Sequence, residues 1–155
     1  MPKTELKERT NRGENDVDSR PDVQPELRSQ STTARQPRVL LLEDDDVQMR
    51  LLTMHLESLE FQILEANTIA QARQILHEQI PDLAIFDVYL PDGSGLDLCK
   101  EIDCNPRLAG MPIIVLSTET ESGIIRKTRA SGGIYFVGKP YDPNVLLLLV
   151  RQALQ

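Results

Sequence analysis

The sequence predicts an α/β fold, in which a doubly wound, five-stranded parallel sheet carries helices on both faces. From residue 38 onward, short apolar runs alternate with segments of helical periodicity. The runs are mostly apolar throughout rather than at every second position, which is typical of strands that are covered on both faces. Four runs end directly in polar or charged residues, as strands of such sheets do where they deliver side chains to a binding site.

Five strands and five helices follow from this pattern. The strands are predicted over residues 39–42, 61–64, 83–86, 112–116 and 135–137. The first helix is predicted to begin near Asp46, which can cap it. The next three are predicted over 69–80, 96–104 and about 122–130, and the last begins at Asp142 and Pro143. The alternation of strands with helices implies parallel strands and helices on both faces of the sheet.

Composition limits the classes of function. A chain of 155 residues, 40% of them hydrophobic, can form one domain of ordinary size. The net charge of −7 disfavours binding to nucleic acid, so we expect no direct nucleic-acid contact by this domain. The longest apolar run, 145–150, is far too short to span a bilayer, and the first residues lack the apolar core of a secretory signal. We therefore expect a cytoplasmic protein without membrane association.

The first 37 residues differ from the remainder of the chain. They contain seven basic and seven acidic residues, and their few large apolar residues follow no period. Such a segment cannot bury enough apolar surface to offset the entropy lost on ordering. We predict a disordered N-terminal extension over 1–37 and a folded domain over 38–155.

Polar side chains at the predicted strand ends define a candidate site. Glu43 and Asp44 follow the first strand, Asp87 the third, Ser117 the fourth and Lys139 the fifth. Neighbouring carboxylates repel one another unless a cation intervenes, and a few oxygen ligands on loops suit Mg²⁺. The Lys139 ammonium could pair with Asp87 or a phosphate oxygen, and the Ser117 hydroxyl could donate to a phosphoryl oxygen. These groups would suit the transfer of a phosphoryl group onto the Asp87 carboxylate.

Residues 38–155 resemble the response-regulator receiver domain of two-component phosphorelay signalling. Residues 39–45 (VLLLEDD) resemble its first strand and acidic pair, and residues 87–95 (DVYLPDGSG) resemble its phosphoacceptor loop. Ser117 falls at the family's Thr/Ser switch position, and Lys139 with Pro140 is similar to its Lys-Pro pair. The separations of 44 residues from Glu43 to Asp87, 30 to Ser117 and 22 more to Lys139 are those of the family. The resemblance implies a flavodoxin-like, receiver-type (βα)5 fold.

The resemblance also implies a role for each site residue. Asp87 would be the phosphoacceptor, and Glu43, Asp44, Asp87 and the backbone carbonyl of Tyr89 would hold Mg²⁺ or Mn²⁺. Ser117 and Lys139 would contact the phosphoryl group.

Three further residues take roles from the family alone. Phe136 would be the switch aromatic, which moves inward when the switch hydroxyl engages the phosphoryl group. The peptide bond before Pro140 would be cis. Tyr89 and Glu119 would tune the access of hydrolytic water to the acceptor.

A receiver of this kind implies a signalling function. A histidine kinase or phosphotransfer protein would donate the phosphoryl group, and the face from the fourth to the fifth helix would then change its contacts with a downstream protein or a second copy. The protein would be a phosphoacceptor with possible autodephosphorylation, not a turnover enzyme. Two alternatives stay open: a phosphorylation-independent pseudo-receiver scaffold, and an aspartyl-phosphate phosphatase. The phosphatase needs a second Asp two residues beyond its nucleophile, where Tyr89 stands.

Some features have structural interpretations. Cys99 and Cys104 are interpreted as two thiols on one helix, and His55 as a structural residue, since it lacks metal-ligand spacing. Residues 145–150 are apolar all round, whereas a helix covered on one side shows polar residues on the other. We therefore expect the last helix to pack against something beyond its own sheet.

Overall fold

The computed structural model describes residues 34–118 and 135–155, which belong to one compact unit, Ala34–Gln155. Most of the predicted N-terminal extension, the predicted helix over 122–130 and Glu119 lie outside the described residues. Within the described ranges, every helix is too short or too polar to cross a membrane.

Seven strands and four helices make up the described part of the chain. The strands are β1 (Arg38–Leu42), β2 (Gln62–Ala66), β3 (Leu83–Asp87), β4 (Tyr89–Leu90), β5 (Gly93–Ser94), β6 (Ile113–Ser117) and β7 (Tyr135–Gly138). The helices are α1 (Asp46–Glu57), α2 (Ile69–Glu78), α3 (Gly95–Asp103) and the C-terminal helix α4 (Pro143–Ala153). Strand boundaries agree with the predicted ones to within two residues, except that the ribbon of β4 and β5 was not predicted.

Five of the strands form a single parallel sheet in the order β2-β1-β3-β6-β7, which confirms the predicted fold class. The chain leaves β1 toward β2 on one side and returns to place β3 on the other side. The strand order therefore changes direction between β1 and β3. In open α/β sheets the binding crevice lies at this point, beyond the carboxyl ends of the strands.

Two apolar layers cover the sheet. Because side chains alternate between the faces of a strand, Leu40 and Leu42 pack with α2 and α3, whereas Val39 and Leu41 pack with α1 and α4. All four side chains are fully buried. Burial on both faces explains why the sequence of β1 is apolar without interruption.

The C-terminal helix α4 buries only part of its apolar run. Leu146 and Val150 are fully buried against the sheet, whereas Val145 and Leu148 are 49% and 65% exposed. These two side chains leave an apolar area uncovered by the described residues.

Short polar side chains cap the helices at the edge of the sheet where the strands end. The predicted cap at Asp46 is wrong by one residue, since Asp45 has the extended backbone of an N-cap and accepts hydrogen bonds from Val47 N and Gln48 N. Thr68, Ser94 and Asp142 cap α2, α3 and α4 in the same way.

Close backbone packing holds the segment that follows β3. The amide of Gly95 donates to the carbonyl of Val88 at 2.8 Å. A Cβ atom on Gly95 would overlap the carbonyl oxygen of Asp87. A residue without a side chain is therefore needed for α3 to begin this close to the backbone of Asp87.

Replacing this glycine should displace the Asp87 backbone. We expect Gly95→Ala to lower the free energy of unfolding by about 1–3 kcal/mol, the usual cost of overpacking, and to shift the Val88 amide signal in NMR spectra. Gly110→Ala is the control, because its Cβ would meet no atom within 4 Å although its φ is +87°. The control should lose stability through backbone strain alone and leave the Val88 signal in place. An unmoved Val88 signal in Gly95→Ala would contradict the overlap.

The two cysteines should differ in reactivity. Cys99 lies in α3 with no exposed surface, and burial raises the pKa of its thiol to about 12. Cys104 caps the same helix and is exposed. Because the thiolate is the reactive form, iodoacetamide should label native protein at Cys104 alone. Mass spectrometry should find Cys104→Ser unlabelled until it is unfolded; rapid labelling of native Cys104→Ser would show that Cys99 is accessible.

Candidate functional site

The five candidate residues lie at one edge of the sheet. Glu43 and Asp44 follow β1, Asp87 ends β3, Ser117 ends β6 and Lys139 follows β7. Their strands β1, β3, β6 and β7 are consecutive neighbours in the sheet and run parallel. The topology therefore brings together residues that are far apart in the sequence.

The ammonium group of Lys139 is the centre of this edge. Its Nζ donates to Glu43 Oε2 at 2.7 Å, to Gln48 Oε1 at 2.6 Å and to Asp87 Oδ2 at 3.3 Å. The Lys139 side chain is only 10% exposed, and its contacts with Glu43 and Asp87 are partly buried, whereas the contact with Gln48 is exposed. The positive charge is thus shared between two acidic residues and one amide.

Glu43 is the buried acid of the site. Its side chain is 2% exposed, and its Oε1 accepts a hydrogen bond from the Asp45 amide at 3.1 Å. Burial raises the pKa of Glu43, while the hydrogen bonds from Lys139 and the Asp45 amide act in the opposite direction. Repulsion from Asp87 adds to the upward shift. The carboxylate of Glu43 therefore depends on Lys139 to remain charged in this position.

Asp87 is more accessible than Glu43. Its Oδ1 accepts from the Val88 amide at 2.6 Å, and its Oδ2 faces Lys139. The side chain is 15% exposed. One carboxylate is thus fixed by the backbone and by a cation, yet can still be reached from solvent.

The acidic residues have the chemistry of a divalent-cation site. Glu43, Asp44 and Asp87 each offer a carboxylate oxygen, and the three oxygens lie within 4.8 Å of one another. Lys139 compensates one of three negative charges, which leaves two for a divalent cation. Oxygen ligands of this kind suit Mg²⁺, which retains several of its own water molecules. The residues present therefore fit the ion that the sequence predicts.

Other predicted residues lie around this cluster. Tyr89 is in β4, opposite Ser94, and its side chain is 54% exposed. Ser117 is fully buried, and its carbonyl accepts from the Lys139 amide at 2.7 Å. Phe136 in β7 is half-buried against the apolar layer of α2 and α3. The Lys139–Pro140 bond is cis, as the family resemblance implies.

Two site contacts were missed in the sequence. Gln48 in α1 accepts a hydrogen bond from Lys139, which is 91 positions away, and no local sequence pattern predicts this contact. Asp92 accepts from the amides of Ile69 and Ala70 at 2.9 and 3.0 Å, so the loop that follows β3 is attached to the first turn of α2. These backbone bonds lower the pKa of Asp92. An Asp in a Pro-Asp-Gly turn would ordinarily be interpreted only as a turn former.

A cavity opens beside Lys139, between α1 and the segment after β7. Its volume is about 380 Å³. Both polar and apolar side chains line it, among them Gln48, Leu51, His55, Thr118 and Tyr141. His55 Nδ1 lies 3.4 Å from the Tyr141 hydroxyl, which fits the structural role predicted for this histidine.

Comparisons with known proteins agree with this geometry. The family model for the response regulator receiver domain matches residues 39–151. The transcriptional regulatory protein GltR of Pseudomonas aeruginosa is 38% identical over 119 residues, which cover 76% of this chain and 49% of GltR. The phosphate regulon transcriptional regulatory protein PhoB of Rhizobium meliloti is 30% identical over 119 residues, with 77% and 52% coverage.

Solved structures give the same result. The crystal structure of a putative response regulator from Chloroflexus aurantiacus has a TM-score of 0.74 and 26% identity, and the match covers 77% of this chain and 98% of that one. This chain spans about half the length of the curated relatives that it matches. The family match over most of the chain and the fold place this protein in the response regulator receiver domain family.

Proposed function

We propose that this protein is a phosphorylation-dependent signalling switch, in which Asp87 accepts a phosphoryl group from a histidine kinase or a phosphotransfer protein. The observation that carries the proposal is the position of Lys139, whose ammonium lies 2.7 Å from the buried Glu43 and 3.3 Å from Asp87. Asp44 adds a third carboxylate within 4.8 Å. Phosphoryl transfer needs a fixed cation beside an accessible carboxylate and a site for a divalent metal ion. Lys139 is that cation, and the two carboxylate charges that it leaves uncompensated suit the metal ion.

The proposed step is an in-line displacement. A lone pair of an Asp87 carboxylate oxygen attacks the phosphorus of a phosphohistidine, and the phosphorus–nitrogen bond of the donor breaks. The bonding pair stays with the imidazole nitrogen of the donor, so the acceptor needs no proton. Lys139 and the Ser117 hydroxyl are proposed to contact the oxygens of the transferred group.

Glu43, Asp44, Asp87 and the backbone carbonyl of Tyr89 are the proposed ligands of Mg²⁺ or Mn²⁺. When bound, the ion supplies positive charge to the phosphoryl oxygens. The protein's own contribution is to hold the carboxylates together and to keep Lys139 among them. Repulsion between the carboxylates is then relieved by the ion and the ammonium jointly.

The acyl phosphate would be lost by slow hydrolysis rather than by turnover of a substrate. The exposed Tyr89 side chain, two residues after Asp87, lies where it can limit the approach of water. We propose the same role for Glu119, which follows Ser117 by two residues, and the role of switch aromatic for Phe136.

The proposed organisation of the chain is a disordered extension over 1–37 followed by the receiver domain over 38–155. The proposed location of the protein is the cytoplasm.

Exposed apolar side chains support the proposed protein partners. Val47, Leu51 and Met54 lie four and three residues apart on α1 and are 67%, 42% and 57% exposed. This stripe begins one turn after the acidic pair, which suits a donor protein that must approach Asp87. Val145 and Leu148 on α4 support a second contact, with a downstream protein or another copy of the chain. Direct binding of nucleic acid by this domain is not part of the proposal, because the chain is acidic.

The proposed acceptor can be tested with a small phosphodonor. After incubation with Mg²⁺ and acetyl phosphate, intact mass measurement should show one phosphoryl adduct on the wild type and none on Asp87→Asn. Asp97→Asn is the matched control, since this exposed acid in the first turn of α3 lies outside the acidic cluster, and it should be labelled. An unlabelled wild type, beside a receiver that is labelled in parallel, would favour the scaffold function. An adduct on Asp87→Asn would place the acceptor elsewhere.

The proposed metal site can be tested separately. Asp44→Asn removes one carboxylate and should raise the Mg²⁺ concentration for half-maximal labelling by about tenfold or more, since even mutations of groups that only orient metal ligands cost that much. Asp46→Asn, an exposed acid in the first turn of α1, should behave as the wild type. Calorimetric titration with Mg²⁺ should show the same order of affinities without phosphodonor. Equal affinities in Asp44→Asn and the wild type would exclude Asp44 as a ligand.

A further inference from the structure

All three N–H donors of the Lys139 ammonium group have acceptors among the described residues. An ammonium group carries three N–H donors, and Nζ has three acceptors: Gln48 Oε1 at 2.6 Å, Glu43 Oε2 at 2.7 Å and Asp87 Oδ2 at 3.3 Å. The contact with the proposed phosphoacceptor is the longest of the three. A phosphoryl oxygen on Asp87 would be a further acceptor, so Lys139 can bind it only by releasing one of the present partners.

The three partners differ in how readily they can be released. Glu43 is a buried carboxylate, and withdrawing Lys139 would leave its charge without compensation in a site that water barely reaches. Phosphorylation of Asp87 replaces the single negative charge of its carboxylate with the larger charge of the phosphoryl group, so the attraction of Lys139 toward Asp87 increases. Gln48 is a neutral amide on the exposed surface of α1, where water can replace the ammonium at little cost.

We propose that Gln48 is a positioning residue that holds Lys139 in the unphosphorylated state and releases it when Asp87 is phosphorylated. This inference rests on the proposed function of Asp87. The Gln48–Lys139 contact then stabilises the unphosphorylated protein and opposes the transfer step. Release frees the amide of Gln48 toward the cavity beside α1, so the first turn of α1 responds to the state of the acceptor.

Two substitutions at this position should act in opposite directions. Gln48→Met retains the length of the side chain but removes the acceptor, and should speed labelling by acetyl phosphate about two- to tenfold, the net value of one hydrogen bond. Gln48→Glu strengthens the hold on Lys139 and should slow labelling by a similar factor. The effect of Gln48→Glu should shrink as salt is added, because exposed charges are screened.

A binding measurement separates this role from a general effect on α1. Beryllium trifluoride, a phosphoryl mimic that needs no transfer step, should bind more tightly to Gln48→Met and more weakly to Gln48→Glu than to the wild type in NMR titrations with Mg²⁺. Gln74→Met is the matched control, since this exposed glutamine of α2 bonds to Glu78 instead. The control should equal the wild type in both measurements.

The outcomes distinguish this inference from the proposed function. If the wild type is labelled but Gln48→Met behaves like it, or if both Gln48 variants change in the same direction, the holding role of Gln48 is wrong and the switch stands. If the wild type takes neither the phosphoryl group nor the mimic, the proposed function fails and this inference with it. Opposite shifts in labelling and in affinity, with Gln74→Met unchanged, support the holding role.

Discussion

The contact between Lys139 and Glu43 is the interaction on which the site depends. An acid that is 2% exposed can remain ionised only beside a compensating charge, and the ammonium at 2.7 Å supplies it. Removing one member of a buried ion pair typically costs about 3–5 kcal/mol, because the other charge is left uncompensated. The pair thus fixes an ammonium next to Asp87, whose own contact with Lys139 is longer and more exposed.

The parallel sheet makes this contact possible. Glu43 and Lys139 are 96 positions apart, and they meet because β1, β3, β6 and β7 are neighbours that run in one direction. Because these strands are parallel, they all end at the same edge of the sheet. The residue that follows each strand therefore lies in a common crevice. Burial of β1 and β3 on both faces fixes their register, which keeps Glu43 and Asp87 at matching heights.

The sequence allowed much of this arrangement to be predicted, because two strong signals agree. Mostly apolar runs predicted the five strands of the sheet, and the residues that follow these runs predicted the acidic cluster and Lys139. Other features depended on the backbone or on distant contacts. Adjacent acids such as Asp45 and Asp46 look alike in sequence, and only the extended backbone of Asp45 makes it the cap. The contact from Gln48 arises from tertiary packing, for which the sequence of α1 contains no signal.

The loop that follows Asp87 is attached differently to the two sides of the domain. Asp92 anchors the loop to α2 through two amides, and Gly95 seats α3 directly against the backbone of Asp87. On the other side, the Asp87 carboxylate is linked to α1 through Lys139, whose Nζ binds both Asp87 and Gln48. Backbone contacts resist displacement more than the end of a flexible side chain does. Asp87 is therefore held rigidly on the side of α2 and α3, whereas its link to α1 can change through movement of the Lys139 side chain.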